Sequence, residues 1–186
     1  MTAASSIGQN GPAMNLRTAT AADRDAILAL HLAAFDESER DVVAKLAVDL
    51  LDVDRALHRV AERDGTLVGH VAFSPVHLGG EREPRGSLLA PLGTHPDAQG
   101  TGVGSALVRD GLERLRAADV AVAFVYGDPR YYTRFGFDPE LGSRYLPRFE
   151  LQHPSGWHAL ELGTGPACAE PVTITCVGPL DDPTLW

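Results

Sequence analysis

The spacing of apolar residues changes period several times along the chain, and each change predicts an element. Leu16-Arg17-Thr18 reads as a short first strand. Thr20 with Asp23 three residues on is a capping-box variant. Behind it Ile27, Leu30, His31, Ala34 and Phe35 fall at i, i+3, i+4, i+7 and i+8, one buried stripe of a helix. Ser38 with Asp41 repeats the cap, and Val43, Leu46, Ala47 and Leu50 predict a second amphipathic helix. From Leu57 to Leu78 the pattern is strand-like. Asp64-Gly65 forms a tight turn between 57–62 and 67–73, hence a β-hairpin. A charged loop follows from Gly79-Gly80 to Gly86.

Ser87 to Thr94 is apolar enough for a central strand, yet Pro91 and Gly93 interrupt it. Proline in a strand belongs at an edge or a bulge. A bulge here would part the strand from its neighbour and free main-chain N–H and C=O groups for an amide-bearing ligand. In the next helix, Ser105 to Arg116, one face carries Leu107, Val108, Gly111, Leu112 and Leu115. The other carries Arg109, Asp110, Glu113, Arg114 and Arg116. Gly111 costs a helix about 1 kcal/mol against alanine, which calls for close packing on a sheet. The apolar run Val120 to Tyr126 fits a parallel strand covered on both faces. A short helix at 129–135, a loop, and strands near 157–162 and 172–177 complete the pattern. The expected organisation is a disordered tail over 1–13 and a single domain over 14–186.

Composition narrows the classes. With 44% hydrophobic and 22% charged residues, the 186-residue chain has the balance of a soluble globule. It has no apolar run of the ~20 residues a membrane helix needs. A formal charge of −9 disfavours a nucleic-acid partner. The same charge means that a polyanionic cofactor must be held by local dipoles and a few arginines. Cys168 and Cys176 form no CxxC, HExxH is absent, and the seven histidines show no ligand spacing, so no metal site is expected. The expected location is cytoplasmic.

Gln99-Gly100-Thr101-Gly102-Val103-Gly104 stands between the predicted strand and helix. A glycine-rich turn there points bare N–H groups and the positive helix end at its contents, which suits a phosphate. Taken alone, such a turn is more often a plain tight connection. The dinucleotide pattern GxGxxG fails because Ser105 or Leu107 takes the third glycine position, and the GxxxxGK[ST] loop fails for want of a lysine. Tyr131-Tyr132-Thr133-Arg134-Phe135-Gly136-Phe137 is a second signature, with Tyr132 28 residues beyond Gly104.

The Gln-x-x-Gly-x-Gly core with Pro96 ahead of it resembles the GNAT (N-acetyltransferase) superfamily. Ala90-Pro91-Leu92, the Tyr131–Phe137 signature and Ala159-Leu160-Glu161-Leu162 are similar to its YhbS-like subgroup. The resemblance implies an α/β fold: a mixed, partly splayed central sheet of about six to seven strands flanked by about four helices. It implies acetyl-CoA as acyl donor and transfer to an amine by direct attack on the thioester. Leu92, Gly93 and Thr94 would offer backbone to the pantetheine arm. Gln99, Gly100, Thr101, Gly102, Val103 and Gly104 would hold the pyrophosphate. The acceptor would be a small-molecule or peptide amine, with no nucleic acid or membrane involved, and the protein a monomer or homodimer. The alternative is a non-catalytic acyl-CoA-binding sensor or regulatory domain. A nucleotide- or phosphosugar-binding module shares the same turn physics.

Similar enzymes place a tyrosine near the coenzyme sulfur where Tyr132 stands. Acyl transfer expels a thiolate whose acid has a pKa of about 8.5, and a phenol donating to that developing charge stabilises it. The plainer reading of Tyr132 is an amphipathic core residue. Tyr131, Phe135 and Phe137 read as packing, and Arg130 and Arg134 as a solvated helix face within possible reach of phosphates. No general base is assigned. Glu39, Glu81, Glu83 and His95 each read as surface groups. The acids Asp36, Glu37, Glu39, Glu81 and Glu83 would suit a cationic amine.

Overall fold

Eight strands and five α-helices occur in the computed structural model, which describes residues 14–163, 168 and 170–186. The tail expected over 1–13 lies outside the described residues. In chain order they are β1 (Asn15–Thr18), α1 (Arg24–Ala34), α2 (Arg40–Asp49), β2 (Leu57–Arg63), β3 (Thr66–Leu78), β4 (Gly86–Thr94), α3 (Val103–Ala117), β5 (Val122–Tyr126), α4 (Pro129–Tyr132), α5 (Pro139–Gly142), β6 (Tyr145–Leu146), β7 (Trp157–Glu161) and β8 (Val172–Cys176). The sheet runs β1-β2-β3-β4-β5-β7. The long β3 outruns β4, and β8 pairs with its far end at Val76–Leu78; β6 pairs with β8. The fold class is the mixed, splayed sheet that was expected. The extra strand and helix are β6 and α5, two short elements in the segment read as loop. Asp138 accepts the Glu140 N–H to start α5, with Pro139 at its first position.

Local chemistry explains the elements. Asp64 (φ 49°) and Gly65 (φ 78°) both take positive φ, as a two-residue turn closing β2 onto β3 requires. The Thr20–Asp23 capping box is present, but a 3-10 turn over Ala21–Asp23 precedes α1. The Asp23 carboxylate also takes two 2.8 Å bonds from Arg17, which hold it well below the usual carboxylate range. The second expected cap is not formed: α2 starts from Glu39 with no side-chain cap bond.

Alternate residues of β5 feed two cores, so this strand is covered on both faces. Phe124 joins Tyr145, Trp157 and Trp186 on one side; Ala123 and Val125 join Phe73, Leu107, Leu112 and Phe137 under α3 on the other. Gly111 lets α3 sit directly on the sheet: a Cβ there would stand 2.1 Å from Phe73 Cε2. Asp110 is no solvated residue, as its polar face implied. It pairs at 2.5 Å with Arg59 of β2, only 1% exposed, whose Nη1 also donates to Thr18 Oγ1. A buried charge of this kind must be paired, and the pair fixes α3 over β2.

The functional geometry comes from one irregularity in β4. Its pairing with β3 shifts register between Val71↔Leu92 and Phe73↔Leu89, so Ala72 faces both Ala90 and Pro91. The parallel pairing of β4 with β5 ends at Leu89↔Val125. Beyond that point the two strands part, at the bulge that Pro91 predicted. Among the described residues no helix is long and apolar enough to cross a membrane.

Candidate active site

A groove of about 700 Å³ opens where β4 leaves β5, within the ~300–1,000 Å³ common for ligand sites. Its walls are Leu92, Gly93 and Thr94 from β4, Gln99, Gly100 and Gly102 from the turn, and Val103, Gly104 and Ser105 from the start of α3. Gly127, Asp128, Tyr131, Tyr132 and Arg134 face them, with Ala34 and Phe35 at the end of α1. Eight of the nine residues offered for the cofactor therefore line one groove. Thr101 does not. Its hydroxyl donates to the Ala98 carbonyl at 2.7 Å and accepts from Arg63 at 2.9 Å, bracing the turn from behind.

The turn has the electrostatics of an anion site. Gly100 (φ 70°) and Gly102 (φ 88°) hold left-handed conformations that favour glycine, and the space beside each is open. Helical bonding in α3 begins with Ala106 N–H to Gly102 C=O. Among the described residues, the N–H groups of Val103, Gly104 and Ser105 then have no backbone acceptor. No acid in the first turn offsets the positive helix end. At Gly104 the fit is tight, for a Cβ would lie 2.7 Å from the Tyr131 hydroxyl and 3.4 Å from Thr94 Oγ1.

That contact corrects two readings. Tyr131 is not only packing, since its hydroxyl stands at the phosphate-type turn. Arg134 is not a detached surface group either. It lies over the Tyr131 ring at 4.2 Å, donates to the Tyr131 carbonyl and lines the groove. Their i, i+3 spacing on one helical turn was the available signal.

Tyr132 sits at the mouth of the parted strands. Asp128 caps α4 and accepts the Arg130 N–H, with Pro129 at the first position. The Tyr132 ring is edge-on to Tyr131 and Phe137. It presses on bare backbone at Gly127, where a Cβ would stand 2.6 Å from Cε2. Burial pushes its phenol well above the ordinary tyrosine range, so it remains a protonated donor.

Behind β4, sequence reading missed a chain of three histidines. His58 Nε2 lies 2.9 Å from the Leu50 carbonyl, His58 Nδ1 lies 3.1 Å from His70 Nε2, and His70 Nδ1 lies 2.8 Å from His31 Nε2. A carbonyl only accepts, so His58 donates from Nε2, and each neutral ring in turn must donate from Nε2 and accept at Nδ1. The last lone pair, on His31 Nδ1, is buried without a partner among the described residues. Burial holds all three rings neutral, with His31 pushed down to about 4. The His31 ring lies against Gly93, where a Cβ would meet it at 2.7 Å.

The carboxylates offered for a cationic amine are not in the site. Glu37 pairs with Arg40, Glu81 with Arg85 and Glu83 with Arg55, all on the surface. His95 Nδ1 accepts the Asp97 N–H. On the α2 side of β4 there is instead an apolar cavity of about 250 Å³, bounded by Val43, Leu46, Leu88–Leu92, Tyr126, Leu180, Leu185 and Trp186. It shares Phe35, Leu92 and Tyr132 with the groove.

Residues 15–139 match the family model described as an acetyltransferase (GNAT) domain. The chain is 36% identical over 141 residues to the uncharacterized N-acetyltransferase YjhQ of Escherichia coli K12, covering 74% of this chain and 75% of that protein. It is 40% identical over 102 residues to the uncharacterized N-acetyltransferase YhbS of the same organism, covering 54% and 60%. The crystal structure of E. coli YhbS in complex with CoA superposes with a TM-score of 0.81 at 27% identity, covering 94% of this chain and 95% of that one. A GNAT acetyltransferase from Brucella melitensis in complex with acetyl-CoA gives 0.70 at 28%, covering 92% and 100%.

Proposed function

The chain belongs to the GNAT acetyltransferase family, with YhbS-like relatives, and from that premise we propose that it transfers the acetyl group of acetyl-CoA to an amine bound across β4. The observation that carries this reading is a coincidence of place. Uncommitted N–H groups of Val103, Gly104 and Ser105 and the phenol-bearing Tyr132 ring open into one groove, exposed by the parting of β4 from β5.

Each residue then has a task. The main chain of Leu92, Gly93 and Thr94, freed from β5, pairs with the amides of the pantetheine arm as an added strand would. The turn amides and the start of α3 hold the pyrophosphate, with Arg134 adding positive charge where the net field is negative. Tyr132 donates its hydroxyl proton to the departing sulfur. Its raised pKa suits a donor that stays protonated until charge develops in front of it. Retention of this tyrosine in the groove favours an enzyme over a sensor.

Acetyl-CoA should raise the melting temperature where ATP and NAD do not; stabilisation by the nucleotides alone would overturn the reading. Tyr132→Phe should leave acetyl-CoA affinity intact and lower kcat about 100-fold or more. An unchanged kcat would remove Tyr132 from the chemistry.

A further inference from the structure

The cavity on the α2 side of β4 continues the groove, because Phe35, Leu92 and Tyr132 line both. At about 250 Å³ it is smaller than the ~300–1,000 Å³ of sites for drug-sized ligands, so its occupant is compact. Among the described residues no carboxylate, ammonium, guanidinium or imidazole side chain lines it. Its polar side chains include two phenols, Tyr126 and Tyr132, and Tyr126 Oη is already engaged by the His153 N–H at 2.7 Å. Phe35, Tyr126 and Trp186 supply flat aromatic walls, with Trp186 stacked on Tyr126.

An ammonium entering this cavity would shed its water and meet no charged side chain. Glu37, Glu81 and Glu83 are paired with arginines, and none of them lines the cavity. The lining also has no group basic enough to strip an ammonium of its proton. Building on the acetyltransferase reading, we infer that the acceptor is a compact, weakly basic primary amine on an apolar or aromatic body, uncharged at neutral pH: an arylamine in its simplest form.

The chemistry balances without a separate base. The amine nitrogen bonds to the thioester carbonyl carbon, and the C–S bond breaks with its electron pair going to sulfur. One N–H proton must finish on that sulfur. Tyr132, which faces both spaces, gives its phenolic proton to sulfur and takes the amine's in return.

The test is thiol release from acetyl-CoA with 4-methylaniline, 4-methylbenzylamine and spermidine. At pH 7 the aniline should show a kcat/KM at least tenfold above the other two. Between pH 7 and 9 its value should stay flat while that of the benzylamine rises about tenfold per unit, tracking the neutral fraction. Val43→Trp, which fills the cavity, should cut kcat/KM for the aniline at least tenfold without moving acetyl-CoA affinity; Leu185→Trp serves if the first variant does not fold. Preference for spermidine, or acetyl-CoA binding with no transfer to the aniline, would overturn this inference and leave the cofactor reading intact. So would a Val43→Trp effect confined to longer donors such as hexanoyl-CoA, which would make the cavity an acyl pocket. Failure to bind acetyl-CoA would instead overturn the parent reading.

Discussion

The two sides of β4 are built on different principles. Toward α3 the walls offer main-chain N–H groups held in place by glycines; toward α2 they offer aliphatic and aromatic side chains from four separate stretches of chain. Main-chain recognition depends on conformation, which few residues permit, so it leaves a mark in the sequence. Side-chain recognition depends on proximity, which leaves none. The first side has a fixed demand, a diphosphate with an amide arm. The second can be relined by any substitution that keeps the volume.

The strongest way to break this contrast is acid. His31 is neutral when folded at about pH 4 and above, whereas in the unfolded chain it titrates near 6.5. Unfolded molecules therefore bind more protons between these values. This contribution to stability is complete above pH 6.5 and lost as pH falls toward 4, on the order of 3 kcal/mol by pH 4. His58 and His70 shift in the same direction. Urea denaturation at pH 7, 6 and 5 should show a steady fall; a flat profile would mean the rings are not held neutral.

Next is the cradle. Gly104→Val places a side chain against the Tyr131 hydroxyl and should weaken acetyl-CoA binding about 100-fold, or 2.7 kcal/mol, by calorimetric titration. Gly111→Ala sharpens the comparison from the scaffold side. Alanine favours the helix by about 1 kcal/mol, but its Cβ would overlap buried Phe73, an overpacking cost of about 1–3 kcal/mol. The melting temperature should fall by a few degrees. The smallest effect expected is for Arg134→Ala, about a threefold rise in the acetyl-CoA Kd, because its guanidinium is exposed to solvent.

How far the molecule could be read in advance follows the same division. Pro91 announced the bulge, the glycines announced the turn, and period-2 and period-3.6 patterns placed the main elements within a few residues. The strand β6 and helix α5 were missed because two- and four-residue elements carry no period. Tyr131 and Arg134 read as packing and surface in the sequence because the approach of Tyr131 to Gly104, with Arg134 over its ring, depends on how α4 docks. The apolar cavity has no motif. The histidine chain joins residues 39 and 12 positions apart on three elements, a spacing that says nothing until α1, β2 and β3 are assembled.

That chain has a consequence for how α2 and β4 are joined. The carbonyl of Leu50, where α2 ends, orients three ring dipoles in series. Inverting any one imidazole would bring two lone pairs, or two hydrogens, face to face. The array therefore holds the single sense that the carbonyl imposes, and its far terminus rests on Gly93. The end of α2 and the strand at the heart of the molecule are in this way joined by a fixed polarity, set at the carbonyl and passed from ring to ring.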